Sequence, residues 1–306
     1  MDRRKFLESL LKTLIITGGS NFFTFEELKA LEKNDKKPDI IWIQALSCNG
    51  CSTELLANSE VDFLEILKNF CNIIFHPMIS VATGKELMKV LDEYKGDNLI
   101  FVLEGSIPNK LPHACLIGEK PITYYIDKII PKANILIAAG TCASFNGITE
   151  MKGMYTGAIS LSKYIKIKNY KKPLVNLPSC PMKPHHFLYT LFYYIKHNFI
   201  PPCDLEHRPK RFFSSLVHER CIYYNDYQEK IFAKHFGDRG CLFKLGCQGP
   251  VTKCDCVKSE AGYDKYSCIK NGHPCIGCSS ENFPRTIMVK RSDDERKIEK
   301  YKSFDF

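Results

Sequence analysis

Fifteen cysteines in a chain of 306 residues constrain this protein more than any other feature, and ten of them follow residue 179. An odd number argues against a simple disulfide framework. Small secreted scaffolds need disulfides because their cores are small, whereas a chain of this length buries a sizeable core without them. Ligation of metal or of iron–sulfur clusters is therefore the leading use for so many thiols.

The rest of the composition is that of a globular protein, 44% hydrophobic and 25% charged. The net charge of +9 is spread over scattered groups such as Lys33, Lys36 and Lys37, Lys166, Lys168, Lys171 and Lys172, and Lys290 and Arg291. No basic stripe with stacking aromatics accompanies them, so the charge reads as a solvated surface and no nucleic-acid partner is expected.

Between residues 38 and 200 the chain alternates apolar runs with amphipathic stretches. Strands are expected at residues 40–46, 72–75, 99–103, 135–139 and 174–177, and helices at 61–70, 84–94, 121–130 and 184–198. Uninterrupted apolar strands alternating with helices indicate a parallel sheet covered on both faces. The expected fold is α/β, a flavodoxin-like doubly wound parallel sheet followed by a cysteine-rich, largely irregular domain. From about residue 201 the periodicity fades. So long an irregular stretch needs some other constraint, which cluster ligation supplies. The boundaries read from these changes are 1–37 for a leader and linker, 38–200 for the sheet domain and 201–306 for the cysteine-rich domain.

The leader reading rests on Arg3-Arg4-Lys5-Phe6-Leu7 and the mildly apolar residues 10–19. Paired arginines before an apolar stretch are similar to a twin-arginine export signal. That route carries proteins already folded around their cofactors, so the thiols are occupied before they meet an oxidising compartment. A periplasmic location is expected, with any membrane association made through a partner or the retained N-terminus; the cytoplasm is the alternative. No run of 18 or more apolar residues spans a bilayer, and the charged residues 290–306 hold no anchor.

Four cysteines fall at strand ends: Cys48 and Cys51 after the first strand, Cys142 in Gly140-Thr141-Cys142-Ala143, and Cys180 in Pro178-Ser179-Cys180-Pro181. Open parallel sheets bind ligands beyond the carboxyl ends of their strands, so these thiols converge on one sheet edge. Four thiolates are the ligand set of a 4Fe–4S cluster. Structural zinc and a thioredoxin-like redox pair are the competing uses, and the second leaves Cys142 and Cys180 unexplained. A denser set follows: His218 and Cys221; Cys241 and Cys247; Cys254 and Cys256; Cys268; and Cys275 and Cys278.

The runs Cys241-Leu242-Phe243-Lys244-Leu245-Gly246-Cys247-Gln248-Gly249-Pro250 and Gly272-His273-Pro274-Cys275-Ile276-Gly277-Cys278 resemble signatures of nickel–iron hydrogenase small subunits. Cys48-Asn49-Gly50-Cys51-Ser52, residues 104–108 (Glu-Gly-Ser-Ile-Pro) and Gly140-Thr141-Cys142-Ala143 fit the same family. The resemblance covers residues 38–285 and implies an electron-transfer subunit with three iron–sulfur clusters. It assigns Cys48, Cys51, Cys142 and Cys180 to a proximal 4Fe–4S cluster facing a catalytic nickel–iron large subunit. It assigns His218, Cys221, Cys241 and Cys247 to a distal 4Fe–4S cluster, and Cys256, Cys275 and Cys278 to a medial one. Many relatives have proline where Cys268 stands, and their medial cluster is 3Fe–4S; a fourth thiolate from Cys268 implies 4Fe–4S here. Oxygen-tolerant relatives carry two extra cysteines near the proximal cluster, and the matching places here are Gly50 and Gly147. An oxygen-sensitive enzyme is expected.

The implied role is to relay electrons from hydrogen oxidation in the large subunit to a cytochrome or another acceptor beside the distal cluster. Cys71, Cys115, Cys203 and Cys254 are left as packing or free thiols, and Cys254 is the one placed to compete with Cys256. Glu54 and Glu104 lie near the proximal cysteines, where a helix-start or turn role is expected ahead of proton transfer. Two other readings stand beside this one. The cluster-bearing component of a respiratory quinone reductase shares the first domain, but it has adjacent cysteines in its first motif and no cysteine-rich second region. The other is a structural zinc-binding module.

Overall fold

The computed structural model describes residues 2–20, 22–33, 36–57, 61–150, 155–257 and 267–284. Five strands form the central sheet: β1 (Asp39–Gln44), β2 (Asn72–Phe75), β3 (Leu99–Glu104), β4 (Ala133–Ala139) and β5 (Leu174–Leu177). They lie in the order β2-β1-β3-β4-β5, with every pairing parallel. This is the flavodoxin-like order, with its switch point between β1 and β3.

Burial on both faces explains the uninterrupted apolar strands. Ile40 and Trp42 on β1, Ile100 and Val102 on β3, and Ile135 and Ile137 on β4 join one core. Their neighbours Ile41, Ile43, Phe101, Leu103 and Leu136 join the other. Each such side chain contributes about 1.5–3 kcal/mol when fully buried.

The helices in chain order are α1 (Arg3–Gly18), α2 (Phe25–Glu32), α3 (Gly50–Leu56), α4 (Phe63–Phe70), α5 (Gly84–Glu93), α6 (Ile122–Ile129), α7 (Gly140–Phe145), α8 (Leu161–Ile167) and α9 (Pro184–His197). Helix α4 starts two residues later than its periodicity suggests because the Asp62 carboxylate caps it, accepting from the Leu64 and Glu65 amides. Helices α1, α4 and α9 cover the Trp42 side of the sheet, and α5, α6 and α8 cover the other.

The segment expected as a leader is helical over Arg3–Gly18, and Phe6, Leu7, Leu10 and Leu14 are buried in the same core as Trp42. Polar contacts hold it too. Arg3 pairs with Glu32 at 2.6 Å, and Arg211 Nε donates to the Thr17 carbonyl at 2.6 Å. Among the described residues no helix is long and apolar enough to cross a membrane. Residues 34–35 of the expected linker and the charged residues 290–306 lie outside the described ones.

Beyond residue 200 the regular structure of the described residues shrinks to short turns such as Lys210–Phe213, His218–Arg220 and Leu242–Leu245. Isolated bridges Leu216–Lys253 and Phe232–Cys241 tie these turns together. The region docks on the sheet domain through the Asn176 amide, which donates to the His207 carbonyl at 2.8 Å. It also docks through the Thr141 hydroxyl, which donates to the Cys278 carbonyl.

Candidate metal centres

None of the fifteen cysteines is in a disulfide. At the carboxyl edge of the sheet, Cys48 lies in the loop after β1 and Cys51 in the first turn of α3. Cys142 lies in the first turn of α7, and Cys180 lies in the loop after β5, behind Pro178 and Ser179. Gly140 lets these loops close together. Its φ is +82°, and a Cβ there would lie 2.5 Å from Cys51 Sγ, so only glycine permits the approach. The Met182 amide donates to Cys51 Sγ at 3.4 Å.

The four thiols lie within one another's fields. Burial, reinforced by neighbouring thiols, pushes Cys142 and Cys180 up to about 11. Burial and the Glu104 carboxylate push Cys51 well above the usual thiol range. Without a metal these groups stay protonated, so binding iron here displaces protons. Cys48 and Cys180 are exposed, which leaves the outer wall of this site open on the isolated chain.

Glu104 organises the Cys51 loop and meets the helix-start expectation, because its carboxylate accepts from the Cys51 amide in the first turn of α3. It is 1% exposed and accepts from Trp42 Nε1 at 3.1 Å, Gln44 Nε2 at 3.2 Å, Ser47 Oγ at 3.1 Å and the Cys51 amide at 3.1 Å. The Ser52 hydroxyl also donates to it. Glu54 lines the neighbouring cavity; burial raises its pKa, and Lys183 opposes the shift.

A second site lies behind the first. Cys254, Cys256, Cys268, Cys275 and Cys278 line a cavity of about 540 Å³, with Cys180 and Ser179 on the proximal side. Burial pushes Cys275 up to about 12 and Cys278 to about 11.

His218, Cys221, Cys241 and Cys247 line a third, smaller pocket with Tyr223, Leu242 and Ile269. Backbone amides two residues on donate to two of its sulfurs, Tyr223 to Cys221 and Gly249 to Cys247, each at 3.4 Å. The His218 ring is held edge-on by Tyr227 at 4.5 Å between centroids. Exposed Ile222, Tyr224 and Phe243 stand around this pocket.

The three sites run in series. Cys180 and Cys278 stand between the first and second, with Cys278 tied to the α7 loop by Thr141. Ile269 lines both the second and the third, and the Gln248 amide, next to Cys247, donates to the Cys275 carbonyl at 2.7 Å. All twelve residues expected as ligands are therefore brought into three groups of four. Cys71, Cys115 and Cys203 line none of these pockets. Cys254, expected as a packing thiol or a competitor, lines the second.

One cluster escaped the sequence. His185 Nε2 and His186 Nε2 meet the two oxygens of Asp255 at 3.0 and 2.8 Å, and all three residues lie in the interior. Burial disfavours the Asp255 carboxylate, but the two imidazoles outweigh it and hold its pKa well below the usual range. Pro184 at the start of α9 does mark the turn carrying both histidines. Nothing in the sequence links that turn to residue 255.

The donors fit iron–sulfur chemistry. They are soft thiols with one imidazole, as such clusters require. A zinc ion draws four sulfurs to about 2.3 Å and leaves no cavity of the size found in the second site.

A flavodoxin-like domain with thiols along its binding edge, joined to a thiol-lined irregular domain, defines an iron–sulfur electron-transfer protein. Comparison with known proteins gives the family. A family model for the C-terminal part of the NiFe/NiFeSe hydrogenase small subunit matches residues 213–290. Another, "NADH ubiquinone oxidoreductase, 20 Kd subunit", matches residues 48–194. The periplasmic [NiFeSe] hydrogenase small subunit of Desulfomicrobium baculatum is 30% identical over 305 residues, covering 93% of this chain and 96% of that protein. The hydrogenase-2 small chain of Escherichia coli K12 is 31% identical over 294 residues, covering 92% and 77%. A chain of the solved Desulfomicrobium baculatum [NiFeSe]-hydrogenase superposes with a TM-score of 0.76 at 31% identity, covering 81% of this chain and 96% of that one. The actinobacterial-type NiFe-hydrogenase of Ralstonia eutropha H16 gives 0.75 at 33%, covering 83% and 81%.

The chain belongs to the nickel–iron hydrogenase small-subunit family. It is the electron-transfer subunit of an oxidoreductase that acts on hydrogen. The quinone-reductase match is confined to the sheet domain that the two families share.

Proposed function

We propose that this subunit holds three clusters in line. Cys48, Cys51, Cys142 and Cys180 hold a proximal 4Fe–4S cluster. Cys256, Cys268, Cys275 and Cys278 hold a medial 4Fe–4S cluster. His218, Cys221, Cys241 and Cys247 hold a distal 4Fe–4S cluster. The carrying observation is the serial arrangement, in which Cys180 and Cys278 face one junction and Ile269 lines both sides of the other. When bound, the clusters supply one-electron carriers whose potentials follow ligand type, hydrogen bonds to sulfur and burial. The protein contributes the Met182, Tyr223 and Gly249 amides on ligand sulfurs. Neutral His218 in place of a fourth thiolate raises the potential of the distal site.

The open proximal edge at Cys48 and Cys180 supports a nickel–iron large subunit as the covering partner. The exposed apolar side chains around the distal pocket support a cytochrome or similar acceptor there. In this reading residues 38–200 are the unit bearing the proximal site and residues 201–306 the unit bearing the other two. Gly50 and Gly147 stand against the proximal ligands, where a Cβ would lie 3.2 Å from Cys48 Sγ and 3.0 Å from Cys142 Sγ. With no sulfur at either place, the enzyme is oxygen-sensitive. Sustained hydrogen oxidation in air would contradict that.

Relatives named as periplasmic and the Arg3-Arg4 pair support export to the periplasm. The burial of Phe6, Leu7, Leu10 and Leu14 supports a segment retained after export. Fractionation of cells with an antibody to the chain, and N-terminal sequencing of the product, test both points. A cytoplasmic product overturns the location, and a product starting beyond residue 20 overturns the retention.

The medial assignment is tested by electron paramagnetic resonance of the oxidised heterodimer. No strong 3Fe–4S signal is expected, and such a signal would overturn it.

A further inference from the structure

A buried polar cluster outside the three sites touches the second of them. His185 is 3% and His186 0% exposed. Both lie in the first turn of α9, which Pro184 opens four residues after Cys180. Their Nε2 atoms donate to the two oxygens of Asp255 at 3.0 and 2.8 Å. Adjacent side chains on a helix diverge, so a carboxylate held by both is fixed from two directions. The rings are fixed in turn: His186 stacks on Phe212 at 4.2 Å between centroids and meets Phe213 edge-on at 5.0 Å.

Asp255 stands between two thiols. Cys254 and Cys256 line the second cavity, whereas Asp255 does not. Its Oδ1 also accepts from Cys254 Sγ at 3.8 Å. A 4Fe–4S cluster takes four protein ligands, yet Cys254, Cys256, Cys268, Cys275 and Cys278 all line the cavity. One thiol must stand aside, and Cys254 is the one whose S–H is given to a carboxylate. A loose carboxylate competes for iron as an oxygen ligand, and the two imidazoles keep Asp255 turned away.

We propose that His185 and His186 are positioning residues of the medial site, acting through Asp255 to present the Cys256 thiol to the cluster and hold the Cys254 thiol back. This rests on the medial assignment made above. Groups that orient a ligand from behind matter to a metal site nearly as much as the ligand itself. The first turn of α9 thereby joins the loop of Cys180, at the proximal site, to the loop of Cys256, at the medial one.

The test uses the purified heterodimer. Iron, acid-labile sulfide, the paramagnetic resonance spectrum of the oxidised protein and the three midpoint potentials are measured. His185→Leu combined with His186→Leu removes both donors. That form is expected to show a three-iron signal or to fall from about twelve irons to about eight. His185→Gln combined with His186→Gln keeps an N–H donor at each place and is expected to restore about twelve irons without that signal. The proposal is overturned if the leucine pair matches wild type. It is also overturned if the glutamine pair fails as the leucine pair does, since packing on Phe212 would then hold the loop.

The leucine pair leaves a buried carboxylate unpaired, so Asp255→Ala gives the same readout without that charge if the pair does not assemble. Its medial potential is expected to move while the proximal and distal potentials hold, and an unmoved medial potential overturns the proposal. Asp255→Asn keeps both contacts, one imidazole donating to its Oδ1 and the other, in the opposite tautomer, accepting from its Nδ2. It is expected to keep the four-iron cluster. Cys254→Ala is expected to keep about twelve irons, and loss of iron there would make Cys254 the ligand and overturn the proposal. A wild type with only about eight irons would instead overturn the medial assignment itself, so the two failures are distinct.

Discussion

At the scale of single residues, the proximal loop depends on a carboxylate that carries no iron. Replacing Glu104 with Ala leaves Trp42 Nε1, Ser52 Oγ and the Cys51 amide without their acceptor. Each buried group so orphaned costs about 1–3 kcal/mol. The Glu104→Ala heterodimer is expected to melt several degrees lower and to lose proximal iron, read by calorimetry and iron analysis. An unchanged iron content would show that the carboxylate is not a positioning group.

His76 gives a pH dependence. Burial lowers its pKa to about 4 against the pull of Glu104, while an unfolded histidine titrates near 6.5. Above about pH 6.5 both states are neutral and the group is silent. Between there and about 4 the unfolded chain takes up a proton that the folded chain refuses, so stability falls with pH, by up to about 3 kcal/mol. Melting temperatures from about pH 7.5 to about 4.5 are expected to fall more steeply for wild type than for His76→Gln. Parallel curves would contradict the assignment.

At the scale of elements, α1 is part of the core. Leu10 and Leu14 are fully buried, and a Leu10→Ala cavity costs about 2–5 kcal/mol. That substitution is expected to lower the melting temperature of the mature heterodimer by several degrees. No change would mean that the helix is a detachable leader.

The same helix shows where the sequence was hard to read. Paired arginines before apolar residues describe an export signal and an amphipathic helix start equally well. Only the partners of Phe6 and Leu7 across the fold show that the helix packs into the core, a packing compatible with a retained segment. The sheet was legible because strands buried on both faces read as unbroken apolar runs, and those runs at residues 99–103 and 174–177 gave strand positions directly. Edges were less so: β1 stops at Gln44 because Leu46 turns to an antiparallel bridge with Ser106.

At the scale of the whole molecule, the convergence of Cys48, Cys51, Cys142 and Cys180 was legible because strand ends gather them, whereas the grouping and serial order of the other sites came from the family resemblance. The residues alone do not show that order. It depends on contacts such as Thr141 to Cys278 and Gln248 to Cys275, which join residues far apart in the chain. The position of Cys254 was equally hidden, since a Cys-x-Cys pair does not say which sulfur faces the cavity. So was the anchoring of its loop, which takes two histidines from α9.

Glycine at 140 links the scales. Gly140→Ala would push a methyl group to 2.5 Å from Cys51 Sγ at a φ of +82°. The variant is expected to lose the proximal cluster while keeping the other two, read as about eight irons in place of about twelve. Full iron content would contradict the tight approach of α7 to the Cys51 loop.

The central claim is a relay of three clusters in one polypeptide. Iron, zinc and acid-labile sulfide analysis of the purified heterodimer tests it most directly, with the large-subunit iron counted separately. About twelve irons and matching sulfide in this chain, without zinc, is the predicted result. Zinc in place of iron, or iron for fewer than three clusters, would contradict it.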